Sequence, residues 1–223
     1  MPPPVIEAGP LTLRPFREDD IDWVCAVSQD PAVQANLPQV FAPYRREHAE
    51  FFVRQVALAG WGDGSRAEFL VAGADSGARL GRIGLGLRSQ VPGTAEIGYW
   101  MDRSARGQGV ATAAVRALCR WAFGALDLDL IEWHAEVGNL ASRRVAEKSG
   151  FLIEGTLRRR LIHRGHRVDV WVGSLLRPDS PLQAGSPAAP ESLPGPGSLA
   201  APGSLAAPGS LPGPGSLPGP ESS

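Results

Sequence analysis

Hydrophobic residues in the first part of the chain follow a strand period and then a helix period. Residues 11–14 (Leu-Thr-Leu-Arg) alternate apolar and polar side chains before Pro15, which predicts a short strand that ends at the proline. Three acidic residues at positions 18–20 then favour the start of a helix, and apolar residues recur at helical spacing to about Ser28. Beyond a loop with several prolines, the same spacing predicts a second helix over residues 46–59.

Three strands joined by short turns are predicted next. Apolar residues concentrate in segments 68–74 and 79–87, and the link between them (Asp75-Ser76-Gly77-Ala78) has the composition of a hairpin turn. After Pro92-Gly93, residues 95–101 (AEIGYWM) predict the third strand. Strands with such short connections pair antiparallel, because a parallel pair needs a longer crossover.

The remaining part of the pattern alternates helices and strands. It predicts a helix over 108–123, a strand over 130–137, a helix from 139 to 150, and two last strands over 151–162 and 167–176. Asn139 is a preferred helix N-cap, and Gly150 suits the left-handed position after a helix. The order predicts an α/β (α+β) fold: a mixed, mostly antiparallel central sheet of about seven strands, with helices on both faces.

The composition changes at about residue 180. Six consecutive six-residue segments over 185–220 all end in proline, and they offer no aromatic or β-branched residue. Such a segment cannot build a hydrophobic core, and proline removes backbone donors. We therefore expect a flexible N-terminus over residues 1–10, a single domain over 11–179, and a disordered tail over 180–223.

Charge and cysteine usage exclude several classes of protein. The formal net charge is −1, so no overall basic surface indicates nucleic acid or an anionic membrane as a partner. The first residues lack a signal-peptide pattern, and no apolar run reaches the ~18 residues of a membrane span. Cys25 and Cys119 lie in apolar helical patterns, which predicts two buried thiols. Free thiols without a disulfide framework indicate a reducing compartment. The cytoplasm is the expected location.

The hexapeptide at 106–111 (Arg-Gly-Gln-Gly-Val-Ala) lies where a predicted strand gives way to a predicted helix. Glycines let the backbone come close to a ligand, and the start of a helix offers unpaired N–H groups and positive potential. With Arg106 as a countercharge, the segment predicts a socket for a phosphorylated ligand. A solvated loop with a helix cap is the alternative, and the six residues alone do not decide between them.

Two common phosphate-binding patterns fit this loop poorly. The P-loop requires a lysine followed by serine or threonine after the glycines, and the loop has no lysine. The dinucleotide pattern G-x-G-x-x-G fits Gly107 and Gly109, but Thr112 replaces its third glycine. That pattern also requires parallel βαβ units, whereas the preceding strands are predicted to form hairpins.

A third pattern extends over most of the chain. Arg106-x-x-Gly109-x-Ala111 resembles the Q/R-x-x-G-x-G/A signature of the GNAT N-acetyltransferase superfamily, and IGYWM before it resembles the family's splayed fourth strand. The run from Asn139 and Ser142 to Phe151, together with the opening LTLRPFREDD, is similar to the branch of RimJ/RimL-type ribosomal-protein N-terminal acetyltransferases. The resemblance covers residues 11–178.

This resemblance implies an acetyl-CoA-dependent enzyme. The acetyl group would pass to a primary amine by direct attack in a ternary complex, and the amine would be a protein N-terminus or a small molecule. A homodimer through the last strands is also implied. The alternative is a non-catalytic acyl-CoA-binding module or sensor, which would keep the loop and lose the chemistry.

The resemblance also implies positions for the donor. The pyrophosphate would bind the backbone amides of the loop, and the pantetheine would lie between strands 97–101 and 130–137, with a backbone amide near 99–101 as the oxyanion donor. Asn139 would contact the pantetheine arm, and Ser142 would protonate or hydrogen-bond the departing sulfur, where many relatives use a tyrosine. The predicted cofactor-binding residues are Trp100, Met101, Asp102, Arg106, Gly107, Gln108, Gly109, Val110, Ala111, Asn139 and Ser142.

The general base is less sharply indicated. Glu96 ranks first, as a glutamate whose pKa is raised toward neutrality, and His134 and Glu136 share one face of the following strand. A site without a dedicated base is the alternative, because proximity alone lowers the barrier. The histidines at 163 and 166 lie in a turn near the expected acceptor side, and their spacing does not indicate a metal.

Overall fold

A computed structural model describes residues 3–38, 40–87 and 90–178, so the predicted tail lies outside the described residues. Eight strands form a single sheet in the order β1-β2-β3-β4-β5-β6-β8-β7. The strands are β1 (Ile6–Ala8), β2 (Leu11–Arg14), β3 (Arg66–Gly73), β4 (Arg79–Gly86), β5 (Thr94–Met101), β6 (Leu130–Glu136), β7 (Leu152–His163) and β8 (His166–Leu176). The α-helices are α1 (Ile21–Val27), α2 (Pro31–Asn36), α3 (Arg46–Phe51), α4 (Ala59–Asp63), α5 (Val110–Ala125) and α6 (Leu140–Ser149).

The sheet is antiparallel at all but one junction. Strands β1 to β5 form a meander, β5 and β6 run parallel, and β8 then pairs antiparallel with both β6 and β7. This confirms the predicted fold class of a mixed, mostly antiparallel sheet with helices. The additional strand is β1, which lies in the segment expected to be flexible and pairs with β2 through a turn at Gly9-Pro10.

The two faces of the sheet carry separate hydrophobic clusters. Phe69 and Val71 of β3 point into the larger one, which α5 covers, because α5 packs against β1, β2, β4 and β5. Leu70 and Ala72 alternate with them and point into the second cluster, which includes residues of α1 and α3. Successive side chains of β3 thus contribute alternately to the hydrophobic clusters on the two faces of the sheet. No helix within the described ranges is long and apolar enough to cross a membrane.

The helices of the first half differ from the predicted ones in two ways. Residues 31–36 form α2, although the sequence pattern predicted a loop there; Pro31 occupies its first turn, and the Asp30 side chain accepts a hydrogen bond from the Ala32 N–H. The predicted helix over 46–59 runs on to Asp63 and contains a π-helical stretch, Phe52–Leu58. Gly64 ends it in the left-handed conformation, at φ 69°.

A buried ion pair joins β3 and β4. Glu68 is fully buried (0% exposed), and its carboxylate accepts hydrogen bonds from the Arg82 guanidinium, with Nε at 2.7 Å from Oε2. A β-carbon on Gly84 would collide with the same carboxylate, so the absence of a side chain there makes room for the pair. The ring of Phe52 lies 5.9 Å from the Arg82 guanidinium carbon and helps to exclude water.

We predict that Glu68→Ala lowers the free energy of unfolding by about 3–5 kcal/mol, because it leaves the Arg82 charge buried without its partner. Urea denaturation followed by circular dichroism measures the change. The matched control is Glu18→Ala, which removes a carboxylate paired with Arg54 on the surface and leaves the free energy of unfolding nearly unchanged. A Glu68 variant as stable as the wild type would contradict the structural role of the pair.

Candidate functional site

Two parallel strands part in the middle of the sheet. β5 and β6 are paired from Thr94 and Leu130 up to Ile97 and Trp133. Beyond these residues β5 continues only with β4, and β6 continues only with β8. The result is a gap that opens toward the carboxyl ends of both strands. Backbone groups that face such a gap can pair with an extended ligand as an added strand would.

The orientation of the β5 backbone decides which residues face the gap. The Asp102 N–H donates to the Leu80 carbonyl on the β4 side, whereas the Gly93 carbonyl accepts from the Leu130 N–H on the β6 side. Backbone groups alternate along a strand, so Trp100 and Asp102 face β4, and Tyr99 and Met101 face the gap. Of the three residues predicted to pair with a pantetheine, only Met101 has its backbone on that side.

The glycine loop follows directly after β5. Asp102 accepts a hydrogen bond from the Ser104 N–H at 2.8 Å and starts a short 3₁₀ turn, after which Gly107 (φ 74°) and Gly109 (φ 80°) take left-handed conformations. α5 therefore begins at Val110, two residues later than predicted. A β-carbon at either glycine would meet no atom within 4 Å, so the requirement for glycine is conformational and not one of space.

The start of α5 offers backbone N–H groups that no side chain caps. Gly109 is the N-cap of this 16-residue helix and has no side chain to satisfy the first helical N–H groups. These donors and the helix dipole point toward the end of the gap. The Gln108 side chain is held elsewhere in the loop, because its amide donates to the Ser104 carbonyl at 2.5 Å.

Arg106 is already paired in this structure. Its Nε donates to the Met101 carbonyl at 3.1 Å, and Nη2 lies 2.9 Å from Oδ2 of Asp30. The sequence pattern predicted a fixed countercharge for phosphate at this position. In this structure the guanidinium connects the glycine loop to the N-terminus of α2.

A hydroxyl cluster lies at the start of α6. Asn139 caps this helix by accepting the Ser142 N–H at 3.1 Å. The Ser142 Oγ accepts a hydrogen bond from Trp133 Nε1 at 3.1 Å and lies at the same distance from the Tyr99 hydroxyl. The Tyr99 hydroxyl also reaches the Ser142 carbonyl, at 3.1 Å. One side chain from each parting strand therefore meets α6 at a single serine.

Tyr99 is the functional candidate that sequence reasoning missed. The chain has no tyrosine close to Ser142 in sequence, whereas the structure brings Tyr99 to it from β5. Burial raises the pKa of Tyr99 to about 12, although its hydrogen bonds with Ser142 and Trp133 lower it. The phenol thus remains protonated at neutral pH. The sequence signal that could have identified Tyr99 is the period-two alternation of β5, which places its side chain on the same face as Ile97 and Met101.

The predicted base, Glu96, lies on the opposite face of β5 and is paired with a histidine. Its Oε2 is 3.4 Å from His134 Nδ1, and the side chain is 60% exposed. Partial burial favours a higher pKa, but the hydrogen bond and charge of His134, with the charge of Arg66, outweigh it and the pKa of Glu96 is lowered. For His134, burial is likewise outweighed, mainly by Glu96, and its pKa is raised. The expectation that the pKa of Glu96 is raised toward neutrality is therefore wrong.

A second acid–histidine pair lies farther along β6. Glu136 Oε2 is 2.5 Å from Nδ1 of the buried His163, at the end of the β7–β8 hairpin. Glu136 and His134 are two residues apart on one face of β6, as predicted, so the two pairs line that face. Within the described ranges, histidine, cysteine, aspartate and glutamate form no group of three or more that is placed to hold a metal ion.

The sequence is similar to a known protein family and to several known proteins. A protein-family model described as an acetyltransferase (GNAT) domain matches residues 10–152. The putative ribosomal N-acetyltransferase YdaF of Bacillus subtilis is 43% identical over 101 residues, which are 45% of this chain and 55% of YdaF. The uncharacterized N-acetyltransferase p20 of Bacillus licheniformis is 29% identical over 75% of this chain and 93% of its own length.

A solved structure shares the fold. RimJ of Mycobacterium smegmatis, in complex with CoA-disulfide, superposes with a TM-score of 0.71 at 24% identity, over 80% of this chain and 90% of RimJ. The match to YdaF, by contrast, spans only about half of that relative's length. The family model covers more than half of this chain, including the parting strands, the glycine loop and the start of α6. The chain therefore belongs to the GNAT acetyltransferase domain family.

Proposed function

We propose that this protein is an N-acetyltransferase that moves the acetyl group of acetyl-CoA to the N-terminal amine of a peptide or protein. The observation that carries the proposal is the gap between β5 and β6, which ends at the glycine loop and has the Tyr99–Ser142 hydroxyls on one side. The family membership supports the reaction class. The RimJ neighbour holds a coenzyme A derivative on the same fold.

The donor fits this gap in one direction. Its pyrophosphate would bind the backbone amides of residues 107–111 at the start of α5, where the helix dipole favours negative charge. Its pantetheine amides would pair with the backbone of Tyr99 and Met101, which faces the gap. Asn139 lies across the gap at the start of α6 and would lie beside the pantetheine arm. The thioester then reaches the point where the strands part.

The transfer proceeds by direct attack in a ternary complex. The neutral amine forms a bond to the thioester carbon, and the carbonyl oxygen becomes an oxyanion that a backbone N–H of Tyr99 or Met101 stabilises. Collapse of this intermediate breaks the carbon–sulfur bond and releases the coenzyme A thiolate. The amine nitrogen loses one proton to solvent, and the thiolate gains one.

The hydroxyl cluster stabilises the departing sulfur mainly by hydrogen bonding. A thiol has a pKa of about 8.5, whereas the pKa of Tyr99 is raised to about 12, so full proton transfer from the phenol is uphill. A serine hydroxyl is a still weaker acid. A hydrogen bond from Tyr99 or Ser142 nevertheless lowers the energy of the developing negative charge, because it acts in a partly buried site.

The electrostatics favour an α-amine as the acceptor. With the pKa of Glu96 lowered by its partner His134, this carboxylate is a weak base. An α-amino group has a pKa of about 7.7–8.0 and is partly neutral at physiological pH, whereas a lysine-type amine, at about 10.4, requires a stronger base. The similarity to YdaF, a putative ribosomal N-acetyltransferase, agrees with a protein N-terminus.

We predict that thiol release from acetyl-CoA is faster with short peptides that have a free N-terminus than with spermidine or an aminoglycoside at equal concentration. N-terminally blocked versions of the same peptides are the control and give only background release, because the neutral α-amine is absent. Binding of acetyl-CoA without turnover on any amine would favour the alternative of a non-catalytic acyl-CoA-binding module.

We predict that Tyr99→Phe and Ser142→Ala each lower kcat by at least tenfold and change the Kd of acetyl-CoA much less, because both hydroxyls act on the departing sulfur. Steady-state thiol release and calorimetric binding measure the two quantities. Tyr44→Phe is the matched control, since Tyr44 is the only other tyrosine and is buried in the second cluster. Equal kcat in Tyr99→Phe and wild type would make this hydroxyl purely structural.

We predict that Gly109→Ala raises the Kd of acetyl-CoA about tenfold. Alanine disfavours the left-handed conformation by about 1–2 kcal/mol, so the free loop relaxes out of it and donor binding must restore it; ~1.4 kcal/mol corresponds to a tenfold change in affinity. Gly124→Ala is the control, because a β-carbon there also meets no atom within 4 Å, but the residue lies near the C-terminal end of α5 and has no positive φ. A folded Gly109 variant that keeps the wild-type Kd would remove the loop from the donor site.

A further inference from the structure

Asp30 has two partners that belong to different parts of the fold. Its Oδ1 accepts the Ala32 N–H at 2.7 Å and caps α2, while its Oδ2 lies 2.9 Å from Arg106 of the glycine loop. Burial favours a higher pKa for Asp30, but the Ala32 and Arg106 hydrogen bonds and the charges of Arg106 and Arg103 lower it. The carboxylate is therefore ionised and neutralised by Arg106 in this structure.

Asp30 also lines a cavity beside the end of β5. The cavity has a volume of ≈ 370 Å³ and lies between α1, residues 29–31, and the pair Asp102–Arg103, which directly follows β5. Trp23 forms part of its wall and lies against Trp100, with ring centroids 5.4 Å apart. The cavity thus adjoins the strand that borders the gap, on the sheet face that carries α1.

The far end of α2 is also held by an arginine. Arg164, in the β7–β8 turn, donates from Nη2 to the Gln34 carbonyl at 2.8 Å. The short helix α2 therefore spans from the glycine loop, through Asp30, to the hairpin on the other side.

One guanidinium cannot fully neutralise two anions. The pyrophosphate of acetyl-CoA would bind at the start of α5, beside Arg106, and it carries more charge than a carboxylate. We propose that Arg106 exchanges Asp30 for the donor's pyrophosphate, and that the released Asp30 carboxylate then binds a cationic side chain of the acceptor in the adjoining cavity. This inference rests on the proposed transfer to a peptide N-terminus.

The cation bound by Asp30 is distinct from the reacting amine. The reacting nitrogen must be neutral to attack, and a carboxylate partner would stabilise its protonated form. A lysine or arginine close to the acceptor's N-terminus has no such conflict. The aromatic wall at Trp23 suits the apolar stem of such a side chain. The substrate class is therefore a peptide with a basic residue near its free N-terminus.

The exchange couples the two substrates. Acetyl-CoA removes the partner of Asp30, so a basic acceptor binds more tightly after the donor, and by reciprocity the acceptor strengthens donor binding. We expect a coupling factor of about tenfold, within the usual range for linked sites. An acceptor of the same length with a neutral side chain gains no such increase.

Asp30→Asn separates the charge of Asp30 from its structural role, because asparagine caps a helix as well as aspartate does. Two peptides that differ only by lysine or glutamine at the second residue serve as acceptors. In the wild type, KM is about tenfold lower for the lysine peptide at saturating acetyl-CoA, with similar kcat. In Asp30→Asn this preference disappears, and calorimetry gives a lower Kd for coenzyme A, since the positive charge of Arg106 is no longer neutralised by a carboxylate.

Asp22→Asn is the matched control, because it removes a carboxylate on the exposed surface of α1 (side chain 79% exposed) and leaves both measurements at wild-type values. An Asp30→Asn enzyme that keeps the lysine preference and the wild-type Kd for coenzyme A would overturn the exchange while leaving the proposed function intact. Absence of turnover on every peptide, with coenzyme A still bound, would reject the proposed function and the acceptor role of Asp30 together.

Discussion

The parting of two parallel strands is the constraint on which the rest of the site depends. β5 and β6 share only four register positions, because each strand is held on its other side by an antiparallel partner that continues farther. Beyond Ile97 and Trp133 the unpaired backbone of β5 faces an opening and not a neighbouring strand. The glycine loop and the start of α6 follow the two carboxyl ends, so both meet at the mouth of the gap.

Charge at this site is organised in pairs, and this decides which chemistry it supports. Glu96 with His134 and Glu136 with His163 line one face of β6, and Arg106 is paired with Asp30. Each of these three carboxylates therefore has a histidine or an arginine as its partner. The opposite face carries the hydroxyls of Tyr99 and Ser142. Such a site suits an amine that already loses its proton near neutral pH.

Stability and function depend on different regions of the same meander. The buried Glu68–Arg82 pair connects β3 and β4 beneath Phe52, on the side of β5 opposite the gap, and fills the space that Gly84 leaves open. β5 then has a rigid neighbour on one side and an opening on the other. A strand supported in this way holds Tyr99 and Met101 in place without a partner from β6, as a preorganised site requires.

Much of the fold could be predicted from the sequence alone, from helix caps, turn residues and the lengths of the links. Asn139 and Gly150 marked both ends of α6, the glycines marked the turn before α5, and the short links identified the antiparallel meander, because caps and turns depend on neighbouring residues. The spacing of the glycine loop and the Asn139–Ser142 run also identified the family. Only the tertiary structure brought Tyr99 to Ser142, tied Arg106 to Asp30 and turned the Trp100 backbone toward β4. These contacts join residues that are distant in sequence, so which atoms meet is decided by the packing of strands and helices and leaves no local pattern in the chain.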